Sequence, residues 1–249
     1  PPAVTPAPVE RACAIDPAST GPVWRGWGTA LSWWANVVGG MPDPLRTQLC
    51  EKVFRDLSLN IVRYEVGAGV SRGCDAMERR ARVPCLLKRE GEYDWDADAN
   101  QVWVLKRAKE LGADTFEAFA CSPPWWMTRS GSVTGGADGG ANLREAALQE
   151  FSLHLARVMK HASDAWGITF QSISPMTEPE ATWWRMGGRQ AGCAVEAGRE
   201  QTQLLLSVDR MMRLQRVRTR VSGPDGWSVE ATVASWDLMG DPARRVVLH

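Results

Sequence analysis

Apolar and polar residues alternate along this chain in short runs, and between the runs apolar residues recur at helical spacing. Over 168–174, Ile168, Phe170, Ser172 and Ser174 point one way and Thr169, Gln171 and Ile173 the other, which predicts a buried strand. Pro175 has no N–H to give a ladder, so the strand ends there. Runs at 23–31, 59–65, 114–120 and 217–223 predict four more strands, and 245–249 the start of a sixth. After the cap signal Asp43-Pro44, Leu45, Leu49, Val53, Phe54 and Leu57 share one helical face. Asp98 opens a helix through Val102, Leu105 and Ala108 that stops at Gly112, and Asn142 with Glu145 reads as a capping box for a helix through His161. Two further helices follow, over 196–216 (Leu204, Leu205, Val208, Met211, Met212) and 228–238. Residues 66–95 read as a long polar loop, and 1–22 as a Pro/Ala-rich lead-in to one domain over 23–249.

Strands alternating with helices predict an α/β fold with a parallel sheet, either doubly wound or a (β/α)8 TIM barrel. The first strand is not followed by GxGxxG, which lowers the dinucleotide-binding reading. Residues able to do chemistry follow each of the first four strands, as they do at the C-terminal mouth of a barrel. Strand starts near 24, 60, 115, 168, 217 and 245 are spaced by roughly 44 residues. Eight strands at that spacing would need about 90 residues more. The expectation is therefore an incomplete barrel of about six of eight βα units.

Composition narrows the function. With 249 residues, formal net charge +0 and pI near 7.2, the chain lacks the basic footprint of a nucleic-acid binder. It has no apolar run of about 18 residues, so no membrane span is expected. Its start has neither a basic n-region nor an apolar h-region, and so gives no direct address. The cysteines (13, 50, 74, 85, 121, 193) form no CxxC, and the three histidines show no HxH or HxxxH spacing; no metal and no cofactor are expected. Cys74 and Cys85 bracket a loop and could be joined by a disulfide or stay as buried thiols. Arg72, Arg79, Arg80 and Arg82 read as a solvated loop face. His154 and His161, seven apart on one helix, do not suit a metal pair. The unusual number is 13 Trp against 2 Tyr, clustered as Trp24/Trp27, Trp33/Trp34, Trp125/Trp126 and Trp183/Trp184. Tryptophans gathered at strand ends favour a lined cleft over a scattered core.

Glu178 stands just past the fourth strand, beside Trp183 and Trp184. A carboxyl group there, partly desolvated by aromatics, suits a general acid with a raised pKa, and the rings suit the flat face of a sugar. The alternative is an exposed glutamate in a capped loop with two core tryptophans.

Several blocks together carry a resemblance: GWGTALSWWANVVGG (26–40), LNIVRYEVG (59–67), YDWDADANQVWVLKRAKELGAD (93–114), SPPWWMTRSGSVTG (122–135) and SPMTEPEATWW (174–184). Over 23–249 the chain resembles glycoside hydrolase family 30, most of all its endo-β-1,6-galactanase branch. The resemblance implies a retaining β-glycosidase on a (β/α)8 barrel, extracellular or in the secretory pathway, with a polysaccharide or oligosaccharide as partner and a monomeric state. It implies that Glu178 is the acid/base and that Arg63 lies near the nucleophile. Trp33, Trp34, Ser122, Trp125, Thr177, Trp183 and His249 match positions in or near the sugar cleft. The family's nucleophile follows strand seven, which the spacing does not place within this chain, so the nucleophile is expected to be not present here; Glu65 and Glu180 are poor substitutes. Three positions depart from the family: Thr177, Cys121 and Glu65 each stand where it has Asn. The alternatives to an active enzyme are a carbohydrate-binding relative without turnover and a truncated fragment.

Overall fold

The computed structural model describes residues 14–71 and 73–248. Cys13, Arg72 and His249 lie outside the described residues, so the roles expected of them are not placed.

Five parallel strands form one sheet in the order β1 (Gly28–Ala30), β2 (Ile61–Glu65), β5 (Thr115–Phe119), β6 (Ser172–Ser174) and β7 (Arg220–Val221). Spatial order follows chain order throughout. A doubly wound sheet reverses direction at a switch point, whereas consecutive strands of a barrel do not, so the topology is barrel-like. Each crossover carries helix: α1 (Trp34–Val38) and α2 (Asp43–Cys50) after β1, α3 (Ala99–Glu110) before β5, α4 (Leu148–His161) before β6 and α5 (Arg199–Leu214) before β7. After β7 come α6 (Val229–Leu238) and α7 (Asp241–Val246).

The strands sort their side chains by alternation. Val62, Tyr64, Phe116, Ala118, Ile173 and Val221 point to the helices and join one buried core with Leu105, Phe151, Leu155, Leu204 and Val208. On the other face Arg63 is in register with Glu117 and Glu117 with Ser172; one layer higher, Glu65 aligns with Phe119 and Phe119 with Ser174. A second cluster of Ala68, Cys74, Met77, Ala81, Phe119, Cys121, Val133 and Ala191 caps the C-terminal strand ends under the loops.

Local expectations meet the structure with mixed outcomes. The 66–95 stretch holds a two-stranded antiparallel hairpin, β3 (Leu87–Arg89) with β4 (Glu92–Tyr93), turned at Gly91 with φ +74°. Pro42 caps α2 and Asp43 sits inside it, paired with Arg46; the helix buries Cys50 and the turn after it buries Phe54, while Leu45, Leu49 and Leu57 are exposed. From Glu51 to Asp56 the chain widens into a π-helical turn, which rotates the expected stripe. Asn142 makes no capping box: its side chain bonds Ser130 N and Ser132 O, and α4 starts at Leu148 after a 3-10 turn. Of the 168–174 strand only Ser172–Ser174 joins the ladder, although Ile168 and Phe170 are buried as expected. Arg245 and Val246 belong to α7, and only Val247 bridges to Val221 where a sixth strand was expected. Cys74 and Cys85 are both free. The loop arginines Arg79, Arg80 and Arg82 are exposed, as expected of a solvated face, while Arg80 also pairs with Glu78 and lies 5.3 Å from the Trp33 ring and Arg82 donates to Met77 O. His154 bonds the Tyr93 hydroxyl at 3.2 Å, and His161 stacks on Trp95 at 3.8 Å.

Candidate active site

The loop after β6 turns back on itself at Glu178, whose φ of +49° is left-handed backbone seldom adopted by a residue with a side chain. Two contacts hold that conformation: Glu178 N donates to Asp225 O at 2.7 Å, and the Trp184 indole donates to Glu178 O at 2.9 Å. Trp184 is itself buried on Gly192, where a Cβ would come within 2.0 Å of the ring. The Glu178 carboxyl is partly buried. Burial raises its pKa, a hydrogen bond from Trp183 pulls it down, and the charges of Asp225 and Glu180 push it up further. The net direction is upward, which favours a proton on the group.

Asp225, at the turn after β7, is a site residue that no motif in the sequence singles out. Its Oδ2 accepts from the Arg63 guanidinium and, at 3.3 Å, from the Thr177 hydroxyl. Arg63 also lies 4.3 Å over the Phe119 ring. Glu65, two residues along β2, is 1% exposed. Ser32 donates to it at 2.5 Å and Cys121 also bonds it, yet burial outweighs those bonds and the Arg63 charge, raising its pKa to about 7. Two of the three departures from the family pattern, Glu65 and Cys121, thus contact each other. Below them Gln101 ties the Glu65 backbone to Asp98, which Tyr64 bonds at 2.8 Å and which burial raises to about 7.

The doubled tryptophans divide their work. Trp184 and Trp126 face the interior, while Trp183 (49% exposed) and Trp125 (46% exposed) face outward. Trp34 packs on Phe54 and donates to Ala30 O, which puts it on the helix side and apart from Glu178; Trp33 packs over the upper cluster. Ser122 is buried and bonds Pro123 O. Trp183 meets Trp227 edge to face at 5.6 Å, and Trp227, also unforeseen, is half-exposed. Beside Trp125 an open hollow of about 710 Å³ is lined by Gly73, Asp75, Ser130, Gly131 and Met186. The structure thus brings Arg63, Thr177, Glu178 and Trp183 together around Asp225. Among the described residues, no group of three or more His, Cys, Asp or Glu side chains is arranged to hold a metal. No helix among them is long and apolar enough to cross a membrane.

Residues 50–225 match the family model of O-glycosyl hydrolase family 30. An endo-beta-1,6-galactanase of Hypocrea rufa is 27% identical over 263 residues, covering 97% of this chain and 54% of that protein. An exo-beta-1,6-galactobiohydrolase of Bifidobacterium longum subsp. longum is 26% identical over 241 residues, covering 72% of this chain and 16% of that protein. Among solved structures, a conserved exported protein from Bacteroides fragilis superposes with a TM-score of 0.75 at 20% identity, covering 88% of this chain and 48% of that one. This chain spans about half the length of the first relative and less of the second.

Proposed function

The chain belongs to O-glycosyl hydrolase family 30, and on that premise we propose a retaining endo-β-glycosidase with Glu178 as acid/base, acting on β-1,6-galactan or a related β-linked polysaccharide outside the cell. The observation that carries the reading is the setting of Glu178: a partly buried carboxyl at a strand end, its pKa raised, bonded by an outward-facing tryptophan. Such a group holds a proton for the departing glycosidic oxygen, then as carboxylate takes one from the water that releases the second sugar. Trp183 and Trp227 supply edges and faces for a sugar ring, and Thr177 offers one hydroxyl where an amide would offer more. The substrate class is supported by the two relatives, both named for β-1,6-galactan chemistry. An extracellular placement is supported by the exported protein of like fold.

A retaining step needs a second carboxylate about 5–5.5 Å away, on the other side of the bond. The carboxylates near Glu178 are committed elsewhere: Glu65 is buried under Ser32 and Cys121, Asp225 holds Arg63, and Glu180 accepts from Ser235. The Thr177 hydroxyl, directed at Ala120 O and Asp225 Oδ2, favours a second reading, a galactan-binding relative without turnover. The test is reducing-sugar release from β-1,6-galacto-oligosaccharides, with calorimetric binding to the same sugars, for the wild-type chain and Glu178→Gln. Turnover lost in the variant with binding kept supports the enzyme; binding without turnover in both supports the second reading. Neither binding nor turnover would sink both.

A further inference from the structure

The Glu178 turn is tied to the β5 end by the Thr177 hydroxyl, which donates to Ala120 O at 3.3 Å, and to the β7 loop through a single residue. The Asp225 carbonyl takes the Glu178 N–H, while its Oδ2 takes the Thr177 hydroxyl and the Arg63 guanidinium. Asp225 therefore reaches the backbone of the acid, the side chain before it, and the cation on β2, three strands away from β7 across the sheet. We propose that Asp225 is the positioning residue of the site: a clamp that sets the place of Glu178 relative to Arg63 and lays its own negative charge beside the acid.

The argument rests on geometry and on charge. A left-handed non-glycine residue persists only where its surroundings over-determine it, and Asp225 O supplies one of the two backbone contacts that do so. The side chain is 28% exposed and Arg63 30%, so their ion pair is only partly screened. A carboxylate close to a second carboxyl disfavours ionisation of the second. The charged groups that act on Glu178 are Asp225 from the β7 loop and Glu180 from its own loop, and Arg63 neutralises the first of these. The Arg63–Asp225 pair is thus a balance: Asp225 presses the proton onto Glu178, and Arg63 limits how hard. A residue that merely packed the loop would have no such sign.

The proposal takes its meaning for catalysis from the reading of Glu178 as acid/base, but its test does not depend on turnover. The full chain, labelled with 13C at glutamate side-chain carboxyls, is titrated by NMR, with the Glu178 signal assigned by its loss in Glu178→Gln. Asp225→Asn keeps an oxygen for Thr177 and Arg63 and removes the charge; the Glu178 midpoint is expected to move down. Arg63→Met leaves the Asp225 charge uncompensated; the midpoint is expected to move up. Shifts of opposite sign support the clamp. An unmoved midpoint in Asp225→Asn, or shifts of the same sign in both variants, overturns it. Should Arg63→Met not fold, Asp225→Asn alone decides, since its side chain is nearly isosteric. Opposite shifts in a chain that hydrolyses no galactan would keep the clamp and discard the catalytic reading, so the two failures stay separate.

Discussion

On the helix side of the sheet Val62, Tyr64, Phe116, Ala118, Ile173 and Val221 are each 5% exposed or less, and all belong to one apolar core. One residue along the same strands, on the opposite side, stand Arg63, Glu65, Glu117, Ser172 and Ser174. The backbone is shared; the period of two sends one set into close packing and the other toward a polar concavity. Burying each large apolar side chain contributes about 1.5–3 kcal/mol, so stability is concentrated on the first face. The second face instead carries Glu65, a buried carboxyl whose ionisation burial opposes, so polarity there costs the fold stability that the apolar face does not lose.

The sharpest way to break that contrast is to exchange a large effect on one face for a large effect on the other. Phe116→Ala should lower the unfolding free energy by about 3–5 kcal/mol, read from urea or guanidinium midpoints. A loss below about 1 kcal/mol would mean that the helix side is not where the fold is held. On the site side, Glu178→Gln should leave the unfolding midpoint nearly unchanged while any galactan hydrolysis falls about 100- to 10,000-fold. Unchanged hydrolysis would remove Glu178 from the chemistry altogether.

How much of this was legible in the sequence follows from which forces are local. Strand positions and the parallel α/β class could be read because alternation and helical spacing are short-range patterns, and Ile168, Phe170 and Leu204 are buried as expected. Family blocks placed Glu178, Thr177, Arg63 and Trp183 in one neighbourhood. What could not be read depends on partners far along the chain. Asp225 carries no local signal because its significance is an ion pair with Arg63, 162 positions away. The doubled tryptophans looked alike, yet Gly192 accepts one ring of the Trp183/Trp184 pair and leaves the other outside. Cys50 and Phe54 rather than Leu45, Leu49 and Leu57 face the core around the π-helical turn after α2, and nothing in the spacing of those leucines announces it.

A subtler test of the polar face is its pH dependence. Burial raises Glu65 from 4.5 to about 7, so between those values the folded chain keeps a proton that the unfolded chain has released. The stability tied to this group is therefore complete below about pH 4.5 and is lost as pH rises toward 7, by an amount on the order of 3 kcal/mol. His154 works in the opposite direction: burial lowers it from 6.5 to about 3, and its contribution is lost as pH falls through that window. Comparing Glu65→Gln with wild type isolates the first group. The variant should gain stability relative to wild type progressively between pH 4.5 and 7, measured as denaturation midpoints across that range. A constant difference would show that Ser32, Cys121 and Arg63 keep Glu65 ionised after all.

The smallest effect expected on stability is at Trp227, and it separates the two faces most finely. This ring meets Trp183 edge to face at 5.6 Å, a pair worth about 0.5–1.5 kcal/mol when well packed. Both rings are about half exposed, so the stability lost in Trp227→Ala should fall at the lower end of that range. Its consequence for ligand binding should be larger than for folding, because Trp183 bonds the Glu178 carboxyl and loses its neighbour in the variant. Titration with β-1,6-galacto-oligosaccharides should therefore show weakened affinity at an almost unchanged unfolding midpoint. If instead the midpoint falls as far as it does in Phe116→Ala, Trp227 belongs to the structural core, and the line between a face that holds the fold and a face that meets the ligand has been drawn in the wrong place.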